Sequence, residues 1–183
     1  MNIRLNILAS ITAFAISTGS AYAMNPEVGG APMLSDKNIV ENAVNSKDHT
    51  TLVAAVKAAG LVDTLMSDGP FTVFAPINEG FAELPEGTVE TLLKPENKDA
   101  LTKILTSHVV AGKISASDLV AKIKSNGGAY NFNAVSGDAL TAKLDGSSVY
   151  IFDESGGASK VTIADVNQSN GVIHVIDDVL LPK

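Results

Sequence analysis

The sequence contains no cysteine and no tryptophan, and aromatic residues make up 5% of its 183 residues. Without cysteine the chain can form neither disulfide bonds nor thiolate metal sites, so its stability must come from packing and hydrogen bonding. Basic residues are also scarce, since 13 Lys and Arg stand against 20 Asp and Glu, a formal net charge of −7. Because these basic residues are not clustered, we expect no nucleic-acid partner and no anionic-lipid surface as a target.

Motifs for catalysis, phosphate binding and metal binding are missing as well. The sequence has no G-x-S-x-G, G-x-G-x-x-G, P-loop or H-E-x-x-H pattern. Ser107 directly precedes His108, whereas a serine nucleophile needs a His base at hydrogen-bond distance and a third group to orient it. Asp178 follows His174 on a predicted strand, where four residues separate the side chains by roughly 13 Å. We therefore expect no enzymatic activity, cofactor or metal, and we interpret His108 and His174 as structural.

The first 23 residues have the pattern of a secretory signal peptide. Arg4 gives a positive start, Leu5–Ile16 is an apolar run, and Ala21-Tyr22-Ala23 matches an A-x-A cleavage site. Cleavage after Ala23 would remove Arg4 and leave a net charge of −8. The run is shorter than the roughly 20 residues that cross a bilayer, and no second run follows, so no membrane span is expected. We predict export to the periplasm or the extracellular medium.

The rest of the chain is predicted to be a short leader and one domain. Residues 24–34, which contain two Pro and two Gly, are predicted to form a flexible leader, and residues 35–183 a single domain. Apolar residues recur at helical spacing near Ile39, Leu52, Leu61, Leu101 and Leu119. The second of these helices is expected to end at Gly60, because glycine suits a left-handed cap.

Strand patterns dominate the last third of the chain. Runs of β-branched and aromatic residues predict strands at Phe71–Ala75, Tyr130–Val135, Leu140–Leu144, Val149–Phe152 and Val161–Val166, and in the closing run Asn170–Pro182. Asp145-Gly146 is typical of a tight hairpin turn. The closing run has Val and Ile on both faces, which places it inside the domain. Helices first and strands later indicate an α+β fold with a largely antiparallel sheet.

Four segments, in order, resemble the fasciclin-like domain family. Thr51–Leu65 is similar to its early helices, Phe71–Phe81 to its first sequence box, Gly112–Leu119 to its middle segment and Asn170–Pro182 to its second box. The resemblance spans about residues 38–183. The positions that match the family motif are Phe74, Pro76, Asn78, Phe81, His108, Asn170, Gly171 and His174.

The resemblance implies a fold of two small, mostly antiparallel sheets in a wedge, with helices packed on one side. Two positions depart from the family pattern. Ile77 stands where the family usually has Thr, so Asn78 is expected to cap the helix that follows. Ser107 stands where the family commonly has Tyr, so the usual aromatic packing beside His108 is lost.

The resemblance also implies adhesion or matrix contact at the cell surface or envelope, usually without catalysis. Some animal members carry an Asp-Ile pair before the second box that is associated with integrin binding. The corresponding pair here is Asp165-Val166, although its neighbours differ from those of the family. Asp165 and Val166 are therefore the candidate residues for binding an unidentified surface protein or polysaccharide.

The alternative function is that of a soluble carrier for a small apolar ligand, such as a pigment or lipid. Some fasciclin-like proteins bind carotenoids, and apolar ligands occupy pockets with mostly apolar walls. Phe71, Phe74 and Phe81 could line such a pocket. Their spacing on a strand and a short helix favours ordinary core packing. The sequence leaves the oligomeric state open.

Overall fold

The computed structural model describes residues 25–183, and the predicted signal peptide over residues 1–23 lies outside these described residues. Nine strands occur in the described range: β1 (Glu27–Val28), β2 (Ala31–Pro32), β3 (Phe71–Pro76), β4 (Val109–Ala111), β5 (Ala129–Asn133), β6 (Ala139–Asp145), β7 (Ser148–Phe152), β8 (Ala158–Gln168) and β9 (Gly171–Ile176). The predicted strands are all present, and the Asp145-Gly146 turn joins β6 to β7 as expected.

Seven α-helices occur in the same range: α1 (Ile39–Ala43), α2 (Thr50–Ala59), α3 (Val62–Met66), α4 (Asn78–Ala82), α5 (Thr88–Leu92), α6 (Lys98–Thr106) and α7 (Ala116–Ser125). Short 3₁₀ turns at Lys47–His49 and Pro95–Asn97 precede α2 and α6. Gly60 ends α2 with φ 72°, in the left-handed conformation that the sequence predicts. The helix α5 was not predicted.

The seven strands β3–β9 form one continuous sheet in the order β4-β3-β9-β8-β7-β6-β5. β3 and β9 run parallel, and every other neighbouring pair in this sheet is antiparallel. The closing strand β9 therefore lies between β3 and β8, and all six of its residues are buried. This confirms the sequence expectation that the strand belongs inside the domain.

The prediction of two small sheets needs a correction at β8. This strand is eleven residues long, and its first part pairs with β7 at Ala158–Lys160. From Val161 onwards it pairs with β9 instead, with register shifts between Val161 and Val166. Two four-stranded halves thus share β8, which joins them into one sheet. We call β4-β3-β9-β8 the inner half and β8-β7-β6-β5 the outer half.

The two ends of this sheet meet. After β5 the chain turns back, and the Val135 N–H donates to the Val109 carbonyl of β4 at 2.7 Å. The next residue, Ser136, donates its N–H to the Thr106 carbonyl at 3.3 Å. These bonds connect the chain just after β5 to β4 and to the end of α6, so the sheet curves round towards closure.

Two apolar clusters pack against the sheet. The helix-side cluster joins the helices to one face of the inner half and includes Leu52, Val56, Leu105, Val73 and Val175. The strand-side cluster lies between the inner face of the outer half, α7 and the other face of β3 and β9, and includes Phe74, Leu119, Leu140, Ile151 and Ile176. Because side chains alternate along a strand, β3 and β9 contribute to both clusters.

The expected flexible leader is wrong for residues 27–33. β1 and β2 pair as a hairpin, with Val28 opposite Ala31. Gly29 and Gly30 have positive φ angles of 59° and 72°, which a two-residue hairpin turn requires and which glycine adopts without strain. Val28, Ala31 and Met33 are buried in the helix-side cluster. Burial of these apolar residues is what holds the segment in place.

Candidate functional site

His108 lies just after α6 and is fully bonded to main-chain groups. Its Nδ1 contacts the Ile104 carbonyl at 2.7 Å, and its Nε2 accepts the Leu180 N–H at 2.8 Å. The pair requires a neutral ring with its proton on Nδ1. Burial lowers the pKa of His108 to about 4, although the Ile104 carbonyl and the charge of Asp153 act in the opposite direction. His108 thus fastens the C-terminal segment to α6.

Ser107 does not form a nucleophile–base pair with its neighbour. Its hydroxyl donates to the Ile104 carbonyl at 2.6 Å and lies 3.4 Å from the Leu180 carbonyl. The Ser107 side chain, like that of His108, is therefore committed to main-chain oxygens.

His174 on β9 is 0% exposed and joins three parts of the fold. Its Nε2 contacts the Ile114 carbonyl at 2.8 Å, and its Nδ1 accepts the Asp165 N–H at 3.3 Å. The ring also stacks on Phe74, with centroids 5.7 Å apart. Burial lowers the pKa of His174, which favours the neutral ring that these two bonds need. The structure thus brings His174 to Asp165 and not to Asp178.

His49 was given no role from the sequence, but like His108 and His174 it is a buried histidine with both ring nitrogens in hydrogen-bond contact. It is 3% exposed, its Nδ1 lies 2.8 Å from the Ser46 hydroxyl, and its Nε2 lies 3.4 Å from the Ala75 carbonyl. Burial lowers the pKa of His49 as well. Its position before a helix with no special motif carries no signal in the sequence. Among residues 25–183, no three His, Asp or Glu side chains are placed to hold a metal ion.

Asn170 ties the second box to the helices. Its Oδ1 accepts the Ile39 N–H at 3.1 Å, and its Nδ2 donates to the carbonyls of Leu65 and Ser67, both at 2.8 Å. Gly171 follows at the start of β9, where a Cβ atom would collide with the Phe71 carbonyl of the parallel strand. Asn170 is therefore required for hydrogen bonds to the helices, and Gly171 is required for the close approach of β9 to β3.

The first box is also held by packing, but one predicted role is wrong. Phe74, Pro76 and Phe81 are buried. Ile77 is the N-cap of α4 and provides no side-chain bond, and Asn78 does not replace it. The Asn78 Oδ1 instead accepts the Thr51 N–H at 3.0 Å, and thereby caps α2. A capping partner from another element depends on tertiary structure, so sequence spacing cannot show it.

The two residues of the predicted partner-binding pair, Asp165 and Val166, differ in their exposure. Asp165 is half-buried at the bulge of β8, with φ 56°, and its carboxylate accepts the Ala116 N–H at 2.8 Å. It therefore helps to fix the first turn of α7. Val166 is 0% exposed and packs in the helix-side cluster, so its side chain cannot touch a partner. Only Asp165 of this pair reaches the surface.

A groove of about 460 Å³ opens beside Asp165. It lies where β8 leaves β7, and we call it the fork groove. Ser148 and Val149 of β7 form one wall, Lys160–Thr162 of β8 form the other, and α7 borders it with Leu119 and Val120. His174 lies at its base. The sequence did not reveal it, because the predicted start of β8 at Val161 missed the three residues that pair with β7.

A second, apolar cavity of about 60 Å³ lies in the helix-side cluster. Val28 and Met33 of the N-terminal hairpin border it, together with residues of α2 such as Val56. Of the three Phe residues considered above, Phe74 lines it, whereas Phe71 and Phe81 pack elsewhere in the core. Among the described residues, no helix has the length and apolar character needed to cross a membrane.

Comparison with known proteins assigns the family. Residues 47–182 match the family model described as the Fasciclin domain. The chain is 47% identical to Protein sll1483 of Synechocystis sp., over 95% of this chain and 97% of that protein. It is 34% identical to the immunogenic protein MPB70 of Mycobacterium bovis, over 88% of this chain and 78% of that protein.

The fold agrees with this assignment. A FAS1 domain pair from the insect cell adhesion molecule Fasciclin I superposes with a TM-score of 0.70 at 21% identity, over 83% of this chain and 52% of that chain. Of the motif positions, Phe74 and Pro76 lie on β3, Gly171 and His174 lie on β9, and Asn170 directly precedes β9. Asn78 and Phe81 lie on α4, and His108 lies between α6 and β4. The sequence match, the fold and the position of the two boxes lead to one conclusion: the chain belongs to the fasciclin domain family.

Proposed function

We propose that this protein is a secreted, non-enzymatic adhesion module that binds a protein or polysaccharide of the cell surface, envelope or extracellular matrix. The observation that carries the proposal is the fasciclin domain itself, which spans residues 47–182 and shares its fold with part of an insect cell adhesion molecule. The buried histidines support it, because their nitrogens are occupied by hydrogen bonds inside the protein. The signal-peptide pattern over residues 1–23 supports export.

Binding is proposed to use the surface around Asp165, where a bulged strand, the start of α7 and the fork groove meet. Hydrogen bonds join these elements to one another, so they can present polar groups in a fixed arrangement. Asp165→Ala should weaken retention of the purified protein on envelope material from the native host while the fold stays intact.

Because Asp165 also bonds to Ala116, the control is Ser115→Ala, which weakens the same helix start without touching the carboxylate. Retention lowered by Asp165→Ala alone supports direct contact. Equal retention of both variants and the parent would remove Asp165 from the binding surface, and a parent that is not retained would overturn the adhesion proposal.

The apolar cavity favours a second candidate function, the carriage of a small apolar ligand. Its walls are apolar apart from Ser46, His49, Lys57 and His108, a lining that suits a pigment or lipid chain. At about 60 Å³ the closed cavity is too small for such a molecule, so the hairpin β1–β2 or α1 would have to move. Protein purified from the native host should then show a stoichiometric chromophore or extractable lipid. A clean apo protein would exclude the carrier.

A further inference from the structure

The fork groove exists because the β7–β8 ladder stops early. The last cross-strand pair is Tyr150 with Lys160, so Ser148 and Val149 pair only with β6. On the other side, β8 pairs only with β9 from Val161 onwards. Two strand segments of the same sheet therefore diverge with a gap between them. Extended peptides bind to such strand edges by adding main-chain hydrogen bonds to the ladder.

The size and walls of the groove suit a short extended segment. Its volume of about 460 Å³ lies within the roughly 300–1,000 Å³ typical of binding sites in proteins. The half-buried side chains of Val120 and Val161 supply apolar surface for alternate side chains, and Ser147 and Ser148 supply hydroxyl groups. Side chains of an extended peptide alternate in direction, so one set would face α7 and the other would face solvent.

The charge of the groove indicates the chemistry of the occupant. Lys160 is the charged residue of the lining, and it is half-buried. Within residues 25–183 the ion pairs are Lys37–Glu41 and Lys103–Asp138, so the Lys160 ammonium has no carboxylate partner there. The Asp177 carboxylate accepts hydrogen bonds from the Lys160 main-chain N–H and the Ser159 hydroxyl, and forms no ion pair with the Lys160 ammonium. A carboxylate on the incoming segment would complete the pair.

We propose that the fork groove binds an extended, acidic peptide segment of a partner protein, which adds to the sheet between β7 and β8 and places a carboxylate on Lys160. The inference rests on the proposed adhesion function and deepens it by naming the class of partner. His174 and Asp165 position the walls, because their bonds fix β9, the bulge of β8 and the start of α7.

A phage-displayed library of random linear octapeptides tests this on the mature protein. We expect enrichment of peptides that combine β-branched residues with Asp or Glu. Lys160→Glu should weaken the enriched peptides at least tenfold by fluorescence anisotropy. Lys143→Glu is the matched control, since this exposed lysine of β6 lies over the Phe152 ring and outside the groove, and its affinity should equal that of the parent.

Main-chain bonding is tested separately with the best peptide carrying N-methyl groups on alternate amides, which should weaken binding in at least one of its two alternation patterns. The proposal is overturned if no peptide is enriched, if Lys160→Glu binds as well as the parent, or if both N-methylated forms bind unchanged. Retention of the parent on envelope material together with any of these results would leave the adhesion function standing with a different contact surface.

Discussion

The inner and outer halves of the sheet are built on different principles. In the inner half, β3 and β9 are covered on both faces, and successive residues enter the helix-side and strand-side clusters in turn. In the outer half, β6 and β7 alternate between buried residues and partly exposed ones, so only one face meets a core. The two halves also differ in their buried polar side chains. The buried histidines and Asn170 all form hydrogen bonds within the inner half or with the helices and loops packed on it. The inner half is thus held by unique contacts, whereas the outer half is held mainly by ladder bonds and one apolar face.

The largest contrast should come from replacing one ring in each half. His174→Ala should lower the free energy of unfolding by about 4 kcal/mol, because it leaves a cavity against Phe74 and two main-chain groups without partners. Tyr150→Ala, on the half-exposed face of β7, should cost roughly 1 kcal/mol. Urea denaturation measures both values. Equal losses would show that side-chain contacts stabilise the two halves to the same extent.

The next effect is a pH dependence that belongs to the inner half. His108 has a pKa of about 4 in the fold and about 6.5 when unfolded. A lowered folded pKa means that its contribution is complete above pH 6.5 and is lost as the pH falls towards 4, on the order of 3 kcal/mol. The pKa values of His49 and His174 are lowered too, so they act in the same direction.

Urea midpoints measured between pH 7 and pH 4 should therefore fall more steeply in the parent than in His108→Gln. Glutamine can keep one donor and one acceptor for Ile104 and Leu180 but does not titrate in this range. Parallel pH profiles of the two proteins would contradict the assignment.

A smaller contrast compares two asparagines. Asn170→Ala should cost about 2 kcal/mol, because the Ile39 N–H and two carbonyls lose their shared partner in a buried place. Asn131→Ala on β5 removes only an exposed bond to the Thr141 hydroxyl, and its effect should stay within about 0.5 kcal/mol. Thermal unfolding distinguishes the two, and a large loss for Asn131→Ala would sink the distinction between the halves.

The smallest effect concerns the helix that covers the outer half. Ser115 caps α7 through a capping box with Asp118, and its bonds lower the pKa of the Asp118 carboxyl. Ser115→Ala should cost about 1 kcal/mol, the usual value for a lost cap. Ser125→Ala at the other end of α7 is the control and should change stability less. A Ser115→Ala variant as stable as the parent would show that α7 does not depend on its cap.

The sequence allowed the strands of both boxes, the end of α2 at Gly60 and the β6–β7 hairpin to be predicted, because each depends on local pattern or turn chemistry. The hairpin β1–β2 escaped prediction although Gly29-Gly30 is itself a hairpin signal, since strands of two residues show no periodicity. The helix α5 spans only the five residues Thr88–Leu92, and its apolar residues Val89 and Leu92 are partly buried against the helix-side cluster. One turn is too short for helical periodicity to be recognised in the sequence.

The surroundings of the candidate site depend on long-range contacts. The positive φ of Asp165 and the shift of β8 from one neighbour to another are set by pairing with β9 and by the bond to Ala116. Neither feature produces a recognisable sequence pattern, so the sequence analysis proposed Asp165 and Val166 together as binding residues. The structure distinguishes them, because Val166 is buried and Asp165 is not. The fork groove beside Asp165 can be recognised only in the three-dimensional structure.

The bonds from Val135 to Val109 and from Ser136 to Thr106 have a consequence for behaviour at high concentration. An exposed edge strand can pair with a strand of a neighbouring molecule and so start cross-β aggregation. Proteins avoid this by keeping edge strands short or covered. Here β4 has three residues, and the chain after β5 occupies part of its outer side. This closure lowers the tendency of the sheet to aggregate, and the fork between β7 and β8 is the place where the proposed partner segment adds to it.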